Sequence, residues 1–220
     1  MIKYILEIET LSDTLIGSGE GFGAVIDTDI VFDGVGIPYI PSKRVKGLLK
    51  DSAKKVIEMM KTFDSFHIEN EDQLFGKPGM DNSAPFKLSD LYIEDYKNNY
   101  EWIEYFTNSD KFKTLFSRDS VTDYFTNVRK STTIDENGIA KKHSLRTARV
   151  LSKGFKFFGD IEIQSDNKEF ENLLTLACIN LQAMGTKRNR GLGEIKTTLY
   201  KEKENLNETI LKELEELCKV

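Results

Sequence analysis

The sequence contains few of the residues that support disulfide, zinc or imidazole chemistry. Its 220 residues include two cysteines, Cys178 and Cys218, and two histidines, His67 and His143. The cysteines lie in helix-like segments without metal-ligand spacing, so we expect reduced, packed thiols and neither a disulfide nor a structural zinc. We expect His67 to pack, and His143, set among basic residues, to contact a bound ligand or solvent rather than serve as a general base.

Long apolar runs are also absent. No stretch reaches the roughly 18 apolar residues of a membrane-spanning helix. The N-terminal sequence "MIKYILEIET" alternates apolar and polar residues, which predicts a strand rather than a signal peptide. We therefore expect a cytoplasmic protein that does not enter a membrane.

An overall excess of positive charge is missing too, since the formal net charge is -5. Phosphate affinity comes largely from clustered lysine and arginine, so this total argues against a free-standing, nonspecific nucleic-acid binder. The charge is segregated, however: residues 129–149 are mainly basic and residues 202–219 mainly acidic. The sequence therefore allows a local anion-binding surface on a chain that assembles with basic partners or an RNA scaffold.

The apolar pattern predicts one α+β domain with insertions. Ile2 to Ile8 alternate as a strand, and helical spacing begins after Pro41, with Ser42 as the expected N-cap. "APFKLSDLYIED" predicts a strand, residues 96–117 a helical insertion, and "ARVLSKGFKFFGDIEIQ" one further strand with a glycine interruption. A second helix is predicted over 168–184, and a last core strand at "GEIKTTLY".

This order is the split βαββαβ, or ferredoxin-like, arrangement. The predicted parts of the single domain 1–220 are a core (1–10, 41–95 and 147–201), an inserted segment (about 119–146) and a C-terminal helix (205–219). The inserted segment is long for a connection within a compact domain. Such long connections are usually functional or disordered.

Two segments are candidates for anion binding. In "GTKRNRGLGEIK" (185–196), glycines allow close backbone approach and positive φ, and three basic residues supply charge. This loop alone fits a phosphate cradle and a solvated turn equally well. At the start of the first helix, basic residues oppose the helix dipole unless an anion lies there. The residues of this second candidate are Ser42, Lys43, Arg44 and Lys46.

Acidic residues alternate just before the first helix, at Asp27, Asp29 and Asp33. In a strand all three would lie on one face, and in a loop they could converge on a divalent metal. The alternative is a solvated acidic edge.

Several motifs carry a family resemblance. "GIPYIPSKRVKGLLKDSA", "LFG" at 74–76, "STTIDENGIAKKHSLRTARVLSKGFKFFGDI" and the glycine-rich loop are similar, in this order, to motifs of the RAMP superfamily of CRISPR systems. The chain most resembles the repeating backbone subunit of type III effector complexes. The resemblance implies a ferredoxin-like palm, an inserted thumb at about 119–146, and guide RNA lying across the palm.

The resemblance also implies a set of functional residues. Asp27, within "VIDTDIVFDGVGIPYIP", occupies the position at which target-cleaving members carry a catalytic aspartate acting with Mg²⁺ or another divalent metal. Asp29 is an additional carboxylate, and Phe32 replaces an arginine-like residue. The implied RNA-binding residues are Ser42, Lys43, Arg44, Lys46, Arg129, Lys130, Lys141, Lys142, His143, Arg146, Gly185, Lys187, Arg188, Arg190, Gly191 and Gly193.

The implied partners are guide RNA, complementary target RNA and other effector subunits, including copies or paralogues of this chain and the large signalling subunit. The expected activity is metal-dependent cleavage of guide-paired target RNA. Three alternatives stay open at this point. They are a noncatalytic assembly subunit at the guide 5′ end, a metal-independent nuclease that processes guide precursors, and a ferredoxin-like domain unconnected to RNA.

Overall fold

The computed structural model describes residues 1–17, 25–61, 68, 70–77 and 84–217, so His67 and Cys218 lie outside the described residues. In chain order the elements are β1 (Ile2–Thr10), α1 (Ser42–Met60), α2 (Asp72–Phe75), β2 (Phe86–Leu88), β3 (Tyr92–Ile93), α3 (Tyr96–Asn108), α4 (Arg118–Phe125), β4 (Thr126–Ser131), β5 (Arg146–Leu151), β6 (Lys156–Ile163), α5 (Lys168–Asn180), a 3-10 turn (Arg188–Arg190), β7 (Ile195–Lys201), β8 (Glu204–Asn205) and α6 (Leu206–Leu217).

The main sheet is antiparallel, with strand order β2-β6-β1-β7-β8 and with β3 paired to β6 as well. In the centre of the sheet Leu6 pairs with both Gly159 of β6 and Leu199 of β7. Together with α1 and α5, the strands β1, β2, β6 and β7 follow the split βαββαβ order. The predicted α+β fold is confirmed.

One face of this sheet carries the two long helices. On β1 the alternate residues Tyr4, Leu6 and Ile8 are at most 3% exposed, as the period-two pattern predicts. Val45 and Leu49 recur at helical spacing on α1 and are fully buried in the same cluster. Burial of apolar side chains in this cluster packs α1 and α5 against the sheet. This packing sets where the ends of both helices lie relative to the strands.

The other face of the sheet pairs its charges within itself. Lys156 Nζ lies 2.8 Å from Glu7 Oε1, and Lys3 Nζ lies 3.7 Å from Glu162 Oε1. These four residues alternate with the buried ones, so they share the face opposite the helices. These two ammonium groups of the face are therefore paired with carboxylates of the same face.

A second, two-stranded sheet corrects the prediction for residues 148–164. They do not form one interrupted strand, because β5 pairs with β4, from Thr126↔Leu151 to Ser131↔Arg146, whereas β6 joins the main sheet. Residues 126–151 therefore form a hairpin that we call the thumb hairpin. The predicted inserted segment 119–146 contains most of α4, β4 and the hairpin tip, and the return strand β5 extends beyond it.

Several helix ends also differ from the predicted ones. Pro41, not Ser42, is the N-cap of α1, and α5 ends at Asn180 rather than at residue 184. The chain beyond α5 turns back to pair Ala183 with Glu194, which ends the helix early. The C-terminal helix is observed over Leu206–Leu217. Within the described part of the chain, no helix combines the length and apolar character that crossing a bilayer requires.

Candidate nucleic-acid interface

The segment that follows β1 joins the glycine-rich loop to the base of the thumb hairpin. Thr14 and Leu151 exchange two backbone hydrogen bonds, of 2.8 and 2.9 Å. The next residue, Leu15, accepts a hydrogen bond from the Thr186 amide at 3.1 Å. The loop and the hairpin, 34 residues apart in sequence at their nearest ends (151 and 185), therefore flank one short segment of chain.

Asp13 lies at the centre of this junction. Its side chain is 8% exposed, and Arg129 Nε and Nη2 donate to its Oδ2 at 3.0 and 2.6 Å. Its backbone carbonyl accepts from the Gly193 amide at 2.9 Å. Sequence reasoning missed Asp13, because a single aspartate after a strand has no motif around it. Arg129, which the sequence predicts to bind RNA, uses two of its N–H donors to bind this carboxylate.

Two glycines of the loop are required by close backbone contacts. A Cβ added at Gly185 would lie 2.4 Å from the Leu15 carbonyl oxygen, and one at Gly193 would lie 2.1 Å from the Met184 carbonyl oxygen. Both residues also have positive φ, of 81° and 83°. Gly191 differs, since its φ is 74° but nothing lies within 4 Å of an added Cβ. Gly185 and Gly193 therefore close the loop, while Gly191 lies on its open side.

The loop cations project from this closed base. Lys187 has φ 58° and precedes the single 3-10 turn Arg188–Arg190. All three predicted loop cations, Lys187, Arg188 and Arg190, are exposed. The loop thus presents three positive charges within four residues next to the thumb hairpin.

The thumb hairpin carries a second group of exposed cations. Lys130 and Arg146 lie on adjoining ends of β4 and β5, and Asp135 closes the tip by accepting the Asn137 and Ile139 amides at 2.9 and 2.8 Å. Between tip and β5 the chain exposes further predicted residues, which are Lys141, Lys142 and His143. Because these residues project on a ribbon outside the main sheet, they form a basic surface separate from the ion-paired sheet face.

The start of α1 is held at the other edge of the sheet. The Ser42 amide donates to Asp90 Oδ1 at 2.7 Å, so the anion expected at this helix terminus is a carboxylate of the protein itself. Lys43 and Arg44 are exposed, and Lys46 Nζ lies 5.6 Å from the centre of the Phe86 ring.

A groove of about 460 Å³ opens beside this helix start, lined by Lys43, Lys46, Phe86 and Lys87 among others. Burial, and then the neighbouring Lys50, lower the pKa of the Lys46 amine from its ordinary value. Lys87 was missed by the sequence reasoning, although its place between two apolar residues of a short strand predicts an outward side chain.

The predicted residues thus fall into two groups. The loop lies beside β7, where Ile195 pairs with Thr10, and the start of α1 lies beside β2, with the two strands β6 and β1 between them. Three strand spacings amount to roughly 14 Å across the sheet, more than a side-chain contact can span. The groove beside α1 includes Phe86, which is in register with Ile163 and with Ile2 at the start of β1, whereas the loop lies where β1 ends. The two groups are therefore also offset along the strands, and only an extended ligand such as a polynucleotide could contact both.

Asp27 lies beside the start of β5, at the end of the paired strands nearer the tip of the thumb hairpin. Its Oδ2 accepts the Thr147 amide at 2.7 Å, and its Oδ1 lies 3.9 Å from Arg146 Nη1. The carboxylate is 44% exposed. Asp27 is therefore oriented by β5 and still open to a ligand.

The other two aspartates do not share this exposed face. Asp29 is 10% exposed, with Oδ2 accepting from Arg149 Nη1 at 3.2 Å and Oδ1 accepting the Ile30 amide at 2.8 Å. Asp33 Oδ1 accepts three successive amides, from Val35 to Ile37, and its Oδ2 accepts the Tyr96 hydroxyl. Asp33 leaves the alternating pattern because the segment turns after Phe32, and Asp29 is covered by its pair with Arg149.

A divalent metal would therefore find one available carboxylate. Among the described residues no group of three or more His, Cys, Asp or Glu is placed to hold a metal ion. Mg²⁺ keeps several waters and is often held by one or two carboxylates together with substrate phosphates. Asp27 fits that mode of binding, whereas Asp29 is already paired with Arg149.

The fold, the closed glycine loop and the basic hairpin define the class of protein. The family model described as the RAMP superfamily matches residues 7–196, and the chain belongs to that superfamily. A comparison with curated proteins finds no similar sequence.

Solved structures share the fold at low sequence identity. A chain of "Cryo-EM structure of the Type III-B Cmr-beta bound to cognate target RNA" superposes with a TM-score of 0.65 at 12% identity, covering 90% of this chain and 97% of that one. A chain of "Type III-B Cmr-beta Cryo-EM structure of the Apo state" gives a TM-score of 0.62 at 11% identity, covering 91% and 98%.

Proposed function

We propose that this chain is a guide-RNA-binding backbone subunit of a type III CRISPR interference complex that cleaves guide-paired target RNA at Asp27 with a divalent metal. The observation that carries the proposal is the position of Asp27. Its half-exposed carboxylate lies against the start of β5 and next to Arg146, on the part of the hairpin that carries the exposed cations.

The distribution of charge supports RNA binding along three exposed basic segments. Exposed cations occur on the glycine loop, on the thumb hairpin and at the start of α1. The ion pairs of the open sheet face, Lys156–Glu7 and Lys3–Glu162, argue against phosphates lying flat on that face. We therefore propose that the backbone of the guide follows the loop and the helix start, and that the hairpin contacts the paired target.

In the chemistry proposed at Asp27, three residues have separate roles in orienting the carboxylate, binding the target phosphate and holding the metal. The Thr147 amide holds the carboxylate against the start of β5, and Arg146 offers a guanidinium to a target phosphate. Asp27 would hold the ion. A bound Mg²⁺ would supply Lewis-acid stabilisation of charge at the phosphate and the departing oxygen during attack by a ribose 2′-hydroxyl.

The test is an Asp27→Ala substitution in complexes reconstituted with guide RNA. We expect target cleavage with Mg²⁺ to fall at least about 100-fold, as for loss of a catalytic charge worth about 3 kcal/mol, while guide loading is unchanged. Asp27→Asn is the matched control for shape, and it should lose cleavage equally. Unchanged cleavage by Asp27→Ala, or by wild type in EDTA, would disprove the catalytic proposal.

A noncatalytic assembly subunit is the second candidate, and one observation favours it. The Asp27 carboxylate already accepts a backbone amide, and the nearest second carboxylate in sequence, Asp29, is committed to Arg149. In that case the wild-type complex would load guide and pair with target, yet leave the target intact with Mg²⁺ present. The same cleavage assay therefore separates the two candidates.

The proposed partners follow from the family and from the charge. They are guide RNA, target RNA and other subunits of the effector complex, among them copies or paralogues of this chain and the large signalling subunit. Copurification followed by sequencing of the bound RNA and mass spectrometry of the bound proteins would identify them.

A further inference from the structure

We infer that Asp29 and Arg149 form a positioning pair that holds Asp27 in place, and that Asp29 does not itself bind the metal. This inference rests on the proposed function for its consequence in cleavage, but its structural part is testable without any cleavage. The evidence is a sequence of contacts between residues 27–29 and residues 147–149.

Three consecutive residues on each side take part in these contacts. The Asp27 amide donates to the Thr147 carbonyl at 2.9 Å, and the Arg149 amide donates to the Thr28 carbonyl at 3.0 Å. Between them Thr28 forms a parallel bridge with Ala148. Residues 27–29 are thus a short third strand beside the thumb hairpin, too short for backbone bonds alone to hold firmly.

The Asp29–Arg149 ion pair fastens the end of this short strand. The side chains are 10% and 16% exposed, so the pair is poorly screened by solvent. The Arg149 guanidinium also lies 5.8 Å from the centre of the Phe32 ring. Breaking a pair of this kind by removing one partner leaves an uncompensated buried charge, whereas removing both partners does not.

The geometry of Asp29 leaves little room for a metal. One oxygen accepts the Ile30 amide and the other accepts from Arg149. An ion at Asp29 would lie beside the guanidinium and would be repelled by it. Arg149 Nε is buried and has no hydrogen-bond partner among the described atoms. Within the described residues, Asp29 is the carboxylate that pairs with Arg149, and Phe32 is the aromatic ring beside it.

The experiment uses amide hydrogen exchange of the full chain, followed at Thr147, whose N–H donates to Asp27. We expect Asp29→Asn and Arg149→Met each to speed exchange at Thr147 at least tenfold, and the double variant to exchange more slowly than either. Glu7→Gln is the matched control. It removes the charge from a carboxylate that is 11% exposed and paired with Lys156, so it should leave Thr147 unchanged.

Cleavage by guide-loaded complexes supplies the second measurement. We expect both single variants to cut target RNA at least tenfold more slowly than wild type, and the double variant to recover part of the rate. The Mg²⁺ concentration that gives half of the maximal rate should be the same in wild type and in both single variants. If Asp29 were a metal ligand, Asp29→Asn would raise that concentration, Arg149→Met would not, and the double variant would not recover. That result would overturn the inference.

The two proposals fail in different ways. If the wild-type complex does not cut target RNA, the proposed catalytic function fails, and exchange at Thr147 still decides whether the pair positions Asp27. If the Thr147 amide exchanges no faster in Asp29→Asn and in Arg149→Met than in the Glu7→Gln control, the positioning role is overturned. If Asp29→Asn does not fold, Arg149→Lys decides, because it keeps the charge but loses the planar guanidinium that donates to Asp29 beside the Phe32 ring, and it should still speed exchange.

Discussion

Replacing the three loop cations Lys187, Arg188 and Arg190 with alanine gives a quantitative test of the RNA interface. Each contact between a cation and a single-strand phosphate contributes about 0.7 to the slope of log affinity against log salt. Loss of three contacts should flatten that slope by about 2, which corresponds to about 100-fold weaker binding at about 0.1 M salt and little change near 1 M. The loop itself should keep its shape, because these side chains are exposed and Gly185 and Gly193 close its base.

The assay is a fluorescence titration of single-stranded RNA of guide length with the full chain, repeated between about 50 and 500 mM KCl, the range over which the counterion effect is steep. The matched control replaces Lys97, Lys111 and Lys113, which are equally exposed and lie at the helical insertion. Both triple variants lower the net charge by three. Equal loss of affinity in the two, or an unchanged slope in the loop variant, would refute the argument that the loop binds phosphates.

The remaining predictions concern stability. Gly193→Ala should lower the free energy of unfolding in urea by about 3 kcal/mol or more, because the new Cβ would meet the Met184 carbonyl oxygen at 2.1 Å and φ is positive. Gly191→Ala is its control and should cost only about 1 kcal/mol, since it has the positive φ without the contact; equal losses would contradict the close-approach argument. Burial alone would raise the pKa of Glu171, but hydrogen bonds from Lys168, Lys201 and Tyr4 outweigh it and hold the pKa below the ordinary 4.5. A carboxyl group whose pKa is lowered by folding stabilises the folded state above its unfolded pKa, and this stabilisation is lost as the pH falls through the folded pKa. Glu171→Gln should therefore lower the stability of the chain at pH 7 and match wild type in strong acid. Thermal unfolding across pH measures this, and a difference that persists unchanged in acid would contradict it.

The sequence predicted the core because the core follows simple periodicities. Alternation at Tyr4, Leu6 and Ile8 and the spacing of Val45 and Leu49 depend only on local geometry and burial. Pairing between strands is less predictable. Lys156–Ile163 and Arg146–Leu151 both have strand patterns, and the assignment of one to the main sheet and the other to the hairpin is set by partners distant in sequence.

The candidate site was predictable where a residue type has a strong local meaning. Three glycines and three basic residues within nine positions indicated a loop with positive φ, and the structure has φ of 81°, 74° and 83° at those glycines. The roles of Asp13 and Asp29 could not be read from the sequence in the same way. Each depends on one arginine more than 100 residues away, and no local pattern connects them.

The shared contacts of Asp13 have a mechanical consequence. Its carboxylate binds Arg129 of the hairpin, and its backbone carbonyl accepts a hydrogen bond from the Gly193 amide of the loop. A displacement of either element would be transmitted to the other through Asp13 and its neighbours Thr14 and Leu15. We therefore expect the loop and the hairpin to move as one unit. A strand of RNA drawn tight along the loop would then change the angle at which the hairpin meets whatever is paired to that strand.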